Sequence, residues 1–317
     1  MTHEPARDRA PVAAVDIGGT KIAGGLVDAG GRVHDPCTRP TPDSADPETV
    51  LRAVFEVLDE LAETPEWPRV RTVGIASAGP VDIGRGAVSP VNIPAWRDFP
   101  LLDRVARHPA IGDRPLILSG DAVAMAAGEH LYGAAADSAN ALCMVVSTGV
   151  GGGLILGGRV MPGVSGNAGH IGHITVEMDG EPCPCGGRGC VERLASGPAI
   201  ARHASSLGWC PPTADATAAA VARAARTGDP AARAAFDRAA QALAAGIAAT
   251  AALVEIDTVV IGGGVAQAGD VLFAPLRGWL TSYATLAFTR HLTVLPARLG
   301  VHSGLSGAAA YARALLG

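Results

Sequence analysis

The sequence predicts an α/β protein that is long enough for two domains. The chain has 317 residues, of which 48% are hydrophobic and 17% are charged. Short apolar stretches typical of strands alternate with alanine-rich stretches typical of helices, which is the pattern of α/β folds. Three strands run into glycine-rich turns, at 15–20, 145–153 and 259–264. A chain of this length can bury two separate hydrophobic cores.

The predicted strands are bounded by glycine, proline or polar residues. They lie at 12–17, 22–27, 70–76, 116–118, 141–146, 153–156, 258–261 and 292–295. A turn at 28–31 leads into a further strand, so the chain is expected to open with a β-meander. The predicted helices lie at 47–61, 122–131, 196–206, 214–227, 230–253 and 306–316. Asp46 and Pro47 favour the start of the first helix, and the last helix is expected to return to the first domain.

The composition argues against several classes of function. The formal net charge of −5 disfavours a nucleic-acid surface, which normally needs a basic face. No apolar run reaches the roughly 18 residues that a membrane span requires, so no membrane partner is expected. The first ten residues lack the apolar segment of a signal peptide, which predicts a cytoplasmic location. There, cysteines are more often metal ligands than disulfide partners.

The first glycine-rich turn carries polar groups that suit a bound phosphate. Gly18 and Gly19 let backbone N–H groups approach an anion. Thr20 adds a hydroxyl and Lys21 a positive charge. Asp16, at the end of the preceding strand, is placed to hold water on Mg²⁺. Alone, the segment could also be a glycine β-turn with a solvated lysine.

Two further turns have a similar composition. Thr148 and Gly149 lie in the second, between apolar strands, and Gly263 and Gly264 lie in the third. Glycines at such positions are typical of a backbone that passes close to a ligand. Each turn alone is more typical of a hairpin or a helix entry, but the three together favour a nucleotide site.

Asp121 follows a predicted strand and begins a helix. It could be only an N-cap, a common role for aspartate there. As a carboxylate at the mouth of a strand, it could instead accept a proton from a substrate hydroxyl during phosphoryl transfer.

One histidine and three cysteines have the spacing of a closed, four-ligand zinc site. They are His173, Cys183, Cys185 and Cys190. Four protein ligands leave no open position for water, so this zinc is expected to be structural. It would hold His170 and Glu192 beside it, although either could be a solvated loop or helix residue. The alternative for the cluster is three free thiols and a surface histidine.

These residues together resemble the ROK family of sugar kinases and sugar-responsive repressors. The match covers 12–315, and it implies an actin-like (ribonuclease H-like) two-lobed ATPase fold with a zinc-binding loop. The smaller N-terminal lobe would comprise 12–118 plus 303–317, and the larger lobe 119–302 with the zinc site. Closure of the lobes would exclude water from the reaction.

The resemblance also implies roles for single residues. Asp121 matches the catalytic base. The implied sugar-binding residues are Gly79, Asn92, Asp121, His170, His173 and Glu192. The implied nucleotide-binding residues are Asp16, Gly18, Gly19, Thr20, Lys21, Thr148, Gly149, Gly263 and Gly264.

Two positions depart from the family pattern. Gly120 stands where the family usually has an asparagine that binds ring hydroxyls, and His170 stands where it usually has glutamate. The histidine variant is similar to some bacterial N-acetylmannosamine kinases, but those keep the asparagine. Losing one neutral hydrogen bond costs roughly 0.5–1.5 kcal/mol, which weakens sugar binding by up to about tenfold. We therefore expect an altered or relaxed sugar pocket with the base retained.

The predicted function is an ATP-dependent kinase acting on the 6-hydroxyl of a hexose, with Mg²⁺ bound to ATP and a structural Zn²⁺. Glucose is the first choice, and N-acetylmannosamine or N-acetylglucosamine the second. The resemblance implies a homodimer or homotetramer. One rival is a sugar-sensing regulator, but only eleven residues precede Val12, too few for a helix-turn-helix domain. The other rival is a zinc-stabilised, non-catalytic sugar-binding module.

Overall fold

The computed structural model describes residues 10–211 and 215–316, which form two compact units. Unit 1 contains Met1–Ala136, Val160–Ala168 and Leu299–Gly317, and unit 2 contains Asp137–Arg159 and Gly169–Arg298. These units do not coincide residue for residue with the predicted lobes, whose boundaries at 118/119 and 302/303 stay a prediction. Residue 214, the predicted start of one helix, and residue 317 lie outside the described residues.

The predicted α/β class is confirmed by two mixed five-stranded sheets with helices around them. The strands are β1 (Val12–Ile17), β2 (Lys21–Val27), β3 (Val33–Pro40), β4 (Val73–Ser77), β5 (Val81–Asp82), β6 (Ala87–Val88), β7 (Leu116–Gly120), β8 (Ala141–Val146), β9 (Val150–Leu156), β10 (Arg159–Met161), β11 (Thr258–Gly262) and β12 (Thr293–Pro296). The helices are α1 (Pro47–Ala62), α2 (Leu101–Val105), α3 (Asp121–Tyr132), α4 (Val191–Ala195), α5 (Gly197–Ser206), α6 (Ala218–Arg226), α7 (Pro230–Val254), α8 (Asp270–Tyr283) and α9 (Ser303–Leu316).

The sheet of unit 1 has the order β3-β2-β1-β4-β7. The first three strands form the predicted antiparallel meander, whereas β4 and β7 continue from β1 in parallel. Successive residues of β1 face opposite sides, so Val15 and Ile17 pack in the core with α1, and Val12 and Ala14 pack with α9. The central strand is therefore buried on both faces, as parallel sheets require.

Helix α1 covers one face of this sheet and begins where the sequence predicts. The Asp46 side chain accepts a hydrogen bond from the Glu48 N–H, and Pro47 occupies the first turn. The apolar residues fall on one face at helical spacing and are buried, namely Val50, Leu51, Val54, Val57, Leu58 and Leu61.

The second five-stranded sheet has the order β10-β9-β8-β11-β12, with β8, β11 and β12 parallel and β9 antiparallel to β8. Strands β8, β9, β11 and β12 belong to unit 2. Its core lies between the sheet and the long helix α7, whose Phe236, Leu243 and Ile247 pack with Leu142 and Met144 of β8. Helix α7 starts at the N-cap Asp229 and ends at Glu255, which adopts the left-handed conformation with φ 52°.

Strand β9 starts earlier than predicted. The sequence places 147–152 in a turn, but Gly151, Gly152 and Gly153 pair with β8 as strand residues. Glycine is needed there because the backbone of the next segment passes very close. A Cβ at Gly152 would lie 2.8 Å from the Gly169 carbonyl oxygen.

Within 10–211 and 215–316, every helix is too short or too polar to serve as a membrane span.

Candidate active site

Unit 1 places two carboxylates at one edge of its sheet. Asp16 lies near the end of β1, and Asp121 follows β7, the parallel strand two positions away. Burial, and then the negative charge of Asp121, raise the pKa of Asp16 to about 6 against the opposing charge of Lys21. A buried carboxyl near a second carboxylate favours a bound cation, which would offset both negative charges.

Asp121 is the first residue of α3, and Gly120 occupies the N-cap position. The Asp121 Oδ1 accepts a hydrogen bond from the Ala122 N–H at 2.7 Å. The alternative prediction, that Asp121 serves as the N-cap, is therefore wrong by one residue. Its carboxylate lies in the first helical turn, where the helix dipole favours a negative charge.

The first glycine-rich turn is held in a fixed shape. The Gly18 N–H donates to the Lys21 carbonyl at 2.9 Å, which closes the turn between β1 and β2. Thr41 supports it from outside, since its hydroxyl donates to the Gly18 carbonyl at 2.6 Å and its N–H donates to the Thr20 carbonyl at 3.0 Å. Thr20 and Lys21 are exposed, so their polar groups can meet a ligand. The role of Thr41 was not predicted from the sequence, because only its neighbours in space reveal it.

The predicted sugar-side loop contacts this turn through Asn92. A Cβ at Gly19 would lie 2.3 Å from the Asn92 Nδ2, so only glycine permits the side chain to lie there. Gly79 belongs to the same loop, since its carbonyl accepts from the Val91 N–H at 3.3 Å. Unit 1 therefore brings Gly79, Asn92 and the first glycine-rich turn together.

Arg97 organises that loop and was also missed. Its Nη1 donates to three backbone carbonyls, those of Pro90 at 2.6 Å, Ile93 at 3.2 Å and Trp96 at 2.8 Å. One guanidinium thus fixes the backbone on both sides of Asn92. An arginine that donates hydrogen bonds to nearby backbone carbonyls has no recognisable sequence motif.

Unit 2 brings the four predicted zinc ligands together. One ligand atom from each of His173, Cys183, Cys185 and Cys190 lies within 4.8 Å of the others. The Sγ atoms of Cys185 and Cys190 are 3.8 Å apart, and the His173 Nδ1 is 3.8 Å from the Cys183 Sγ. Tetrahedral zinc with bonds of about 2.3 Å to sulfur sets its sulfur ligands about 3.8 Å apart. The geometry therefore fits zinc, bound by His173 through Nδ1.

The thiols of this cluster also favour a cation. Burial, followed by the neighbouring Cys183 and Cys185, raises the pKa of the Cys190 thiol to about 12. The Gly187 N–H, 3.4 Å from the Cys185 Sγ, lowers the pKa of the Cys185 thiol. Three thiolates this close repel one another unless a metal ion neutralises them.

Glu192 connects the zinc segment to the second glycine-rich turn. It lies in α4, which begins directly after Cys190. The Glu192 Oε2 accepts a hydrogen bond from the Val150 N–H at 2.9 Å, and a Cβ at Gly149 would lie 2.7 Å from the same oxygen. Glu192 is thus fixed in place, and the alternative of a merely solvated residue is wrong. Thr148, at the tip of this turn, is exposed.

The third turn lies against the second. Gly263 has a φ of 89°, and a Cβ there would lie 2.4 Å from the Val146 carbonyl oxygen. Gly264 is close to the Ser147 hydroxyl, 3.7 Å from the position of a Cβ. Unit 2 therefore gathers both of its glycine-rich turns and Glu192.

His170 is exposed, and its ring stacks against that of His173 with a centroid distance of 5.5 Å. Because Nδ1 of His173 faces the cysteines, its Nε2 remains to meet another group. The departure from the family pattern at His170 thus lies directly beside a zinc ligand.

Comparison with known proteins identifies the family. The model of the ROK family matches residues 12–314. The chain belongs to the ROK family. Its predicted membership and its actin-like fold with a zinc-binding loop are thereby confirmed.

Relatives from this family align over nearly the whole chain. A glucokinase of Thermotoga maritima is 34% identical, with 96% of this chain and 97% of that protein covered. An N-acetylmannosamine kinase of Yersinia pseudotuberculosis is 37% identical, with 96% and 98% covered. The crystal structure of a ROK family glucokinase from Streptomyces griseus, in complex with glucose and AMPPNP, is 35% identical. It superposes with a TM-score of 0.81 over 96% of this chain and 99% of that one.

Proposed function

We propose that this chain is an ATP-dependent kinase that phosphorylates the 6-hydroxyl of a hexose, with glucose as its preferred acceptor. The chain is a sugar kinase, since its ROK relatives at 33–37% identity are glucokinases and N-acetylmannosamine kinases. The observation that carries the proposal is the pair Asp16 and Asp121 beside the first glycine-rich turn of unit 1. Such a pair supplies a base and a place for a cation, which phosphoryl transfer requires.

Asp121 would act as the general base. Its carboxylate accepts the proton of the sugar 6-hydroxyl as that oxygen attacks the γ-phosphorus of ATP. One phosphorus–oxygen bond forms to the sugar, the bond to the β-phosphate oxygen breaks, and ADP leaves. Its place in the first turn of α3 sets this carboxylate at the positive end of the helix dipole.

The nucleotide would be held by the glycine-rich turns. Asp16 would hold water on Mg²⁺, while Thr20, Lys21 and Thr148 would bind phosphate oxygens, helped by the N–H groups of Gly18, Gly19 and Gly149. Gly263 and Gly264 would lie on the adenosine side. When bound, Mg²⁺ supplies positive charge to the phosphates. The elevated pKa of Asp16 supports this role, because its carboxyl is buried near a second negative charge, that of Asp121, and a cation would offset both.

The sugar would be held by Gly79 and Asn92 of unit 1 and by Glu192, His170 and His173 of unit 2. Zinc would fix the His173 ring through Nδ1, so that its Nε2 can meet a sugar hydroxyl. The zinc would therefore be structural and would also orient a sugar ligand.

An N-acetylhexosamine is the second candidate, and His170 is the observation that favours it. His170 lies beside the zinc ligand His173, and a histidine at this position is similar to some bacterial N-acetylmannosamine kinases. N-acetylmannosamine and N-acetylglucosamine are the acceptors to compare with glucose. The predicted lobe boundaries, dimer or tetramer, and cytoplasmic location also stay predictions.

A coupled ADP-release assay tests the proposal. The acceptors are glucose, mannose, N-acetylmannosamine and N-acetylglucosamine, each with Mg·ATP, and the product position is read by phosphorus NMR. We expect the highest kcat/KM with glucose and a phosphate on the 6-oxygen. ADP release no faster than without sugar, for every acceptor, would contradict the kinase. In that case a gel-shift with genomic DNA tests the regulator.

A further inference from the structure

Gly304 lies in the first turn of α9, in the same unit as Asp16. A Cβ at Gly304 would lie 2.0 Å from the Asp16 Oδ2, 2.5 Å from its Cγ and 3.1 Å from its Oδ1. The three atoms nearest to that position thus all belong to one carboxyl group. Non-bonded carbon and oxygen atoms need more than 3 Å, so no side chain at 304 can coexist with this orientation of Asp16.

The backbone at Gly304 does not itself require glycine. Gly304 lies inside a regular helix, whose dihedral angles any L-residue adopts, and glycine there is less favourable than alanine. The space taken by the Asp16 carboxyl is therefore the structural reason for a glycine at this position.

Helix α9 is packed closely on two other elements. A Cβ at Gly307 would lie 2.3 Å from the Ala124 carbonyl oxygen of α3, and a Cβ at Gly74 of β4 would lie 2.4 Å from the Ala308 carbonyl oxygen. Moving α9 to make room for a side chain at 304 would open both of these contacts, whereas moving the Asp16 carboxyl changes one side chain. We therefore expect a side chain added at Gly304 to displace the Asp16 carboxyl.

We propose that Gly304 is a positioning residue for Asp16. By leaving space beside β1, it lets the carboxyl keep the orientation in which it can hold the hydration shell of Mg²⁺. The contact stands on geometry alone, whereas its consequence for phosphoryl transfer rests on the proposed kinase function.

A double-variant cycle on the ligand-free protein tests the contact without any activity. Thermal unfolding is measured for the wild type, Gly304→Ala, Asp16→Ala and the double variant. We expect Gly304→Ala to lower Tm in the wild type and to leave it equal or higher once the carboxyl is gone. Equal changes in both backgrounds would overturn the proposal. If Gly304→Ala alone does not fold, recovery of folding by Asp16→Ala supports the contact, and no recovery overturns it.

Gly278→Ala is the matched control. Gly278 also lies inside a helix, α8, and a Cβ there has nothing within 4 Å. The same substitution should therefore leave Tm equal or raise it, and should do so in both backgrounds.

Kinetics and calorimetry then test the consequence. With Gly304→Ala we expect kcat to fall ten- to hundredfold, weaker binding of Mg·AMPPNP by calorimetry, and an unchanged KM for the sugar, because an ångström of misplacement has effects of this size. Gly278→Ala should change none of these quantities. Wild-type binding of Mg·AMPPNP by a Gly304→Ala variant that shows the thermal coupling would overturn the positioning role. If the wild type is inactive but the Tm effects of Gly304→Ala and Asp16→Ala are still coupled, the proposed kinase function is contradicted and the contact is not.

Discussion

The two five-stranded sheets have the same strand order but carry different chemistry. In each sheet, the central six-residue strand has an antiparallel neighbour on one side and two parallel strands on the other. The fifth residue of the central strand is Asp16 in unit 1 and Val145 in unit 2. The last parallel strand is followed by Asp121 in unit 1 and by Ala297 in unit 2. One scaffold can therefore place carboxylates at the strand ends or omit them.

The units also differ in how their polar residues are held in place. Asp16 and Asp121 adjoin strands that a hydrophobic core covers on both faces. The segment 175–189 of unit 2 is mostly exposed and contributes few apolar side chains to a core. A metal ion bound by the four ligands would hold this segment in place instead of a core, so we expect metal to be essential for the local structure of unit 2 but not for that of unit 1.

Loss of zinc is the largest expected effect. Replacing Cys190 with serine removes one of four ligands, and structural zinc sites in small peptides bind with about 10–16 kcal/mol. We expect zinc content to fall from about one ion per chain to near zero, with faster hydrogen exchange in 170–196. Metal analysis and hydrogen exchange measure both.

Cys210→Ser is the control for this prediction. Cys210 is an exposed free cysteine of the same unit, outside the ligand cluster. The Cys210→Ser protein should keep its zinc and the hydrogen exchange of the wild type in 170–196. A Cys190→Ser protein with full zinc content would show that the cluster is not the metal site.

Asp121→Asn tests the chemistry assigned to unit 1. Asparagine keeps the shape of the side chain but cannot accept the proton, so kcat should fall by about two to four decades with Tm and zinc content unchanged. Asp103→Asn is the control, since Asp103 is an exposed aspartate in the first turn of another helix of that unit. Near wild-type turnover in Asp121→Asn would remove Asp121 as the base.

Asp16→Asn tests whether the carboxyl of Asp16, at the same sheet edge, has a raised pKa. The native pKa of about 6 lies above the ordinary aspartate value of 3.8, so the native state binds the additional proton between these pH values. The contribution of Asp16 to the free energy of unfolding therefore falls as pH rises from about 4 to 6 and stays level above that. In magnesium-free buffer, Asp16→Asn should match the wild type near pH 4 and exceed its stability by about 2 kcal/mol above pH 7.

Denaturant unfolding at pH 4.5 and 7.5 measures this difference. Asp113→Asn, at an exposed position of unit 1, should show no such pH dependence. An equal gain for Asp16→Asn at both pH values would mean that the carboxyl does not titrate between them.

The features predicted best from sequence are those encoded locally. The zinc ligands Cys183, Cys185 and Cys190 lie within eight residues, so their spacing alone brings them together. The first glycine-rich turn, at 18–21, joins two adjacent strands, and its shape follows from its own glycines. Membership of the family followed from the same short motifs.

Other features depend on contacts between distant positions and could not be predicted. Gly304 and Asp16 lie near opposite ends of the sequence but are close in space. Glu192 accepts a hydrogen bond from the Val150 N–H, 42 positions away in sequence. The extent of β9 was wrong for a similar reason. Gly151 and Gly152 were predicted to lie in a turn, whereas they lie in the strand, and at Gly152 close packing against another segment requires glycine.

Gly120→Asn has the smallest expected effect and tests whether unit 1 limits sugar affinity. The backbone there, with φ −68° and ψ 149°, suits any residue. A Cβ would lie 3.5 Å from the Gly166 carbonyl oxygen and 3.9 Å from the Val81 Cγ2, which are ordinary contacts. An asparagine should therefore fit at this position without displacing its neighbours. Its side-chain amide would provide one hydrogen bond to a ring hydroxyl of the sugar. The KM for glucose should fall by up to about tenfold with kcat nearly unchanged.

Gly120→Ala separates the hydrogen bond from the space that an added side chain fills. Alanine adds the Cβ but no amide, so it should leave the KM for glucose near that of the wild type. If alanine and asparagine lower that KM equally, the gain comes from filling space. If neither changes it while His170→Glu does, the sugar preference is set in unit 2, beside the zinc ligand His173. Asp121 of unit 1 would then act on the acceptor hydroxyl without selecting the ring that carries it.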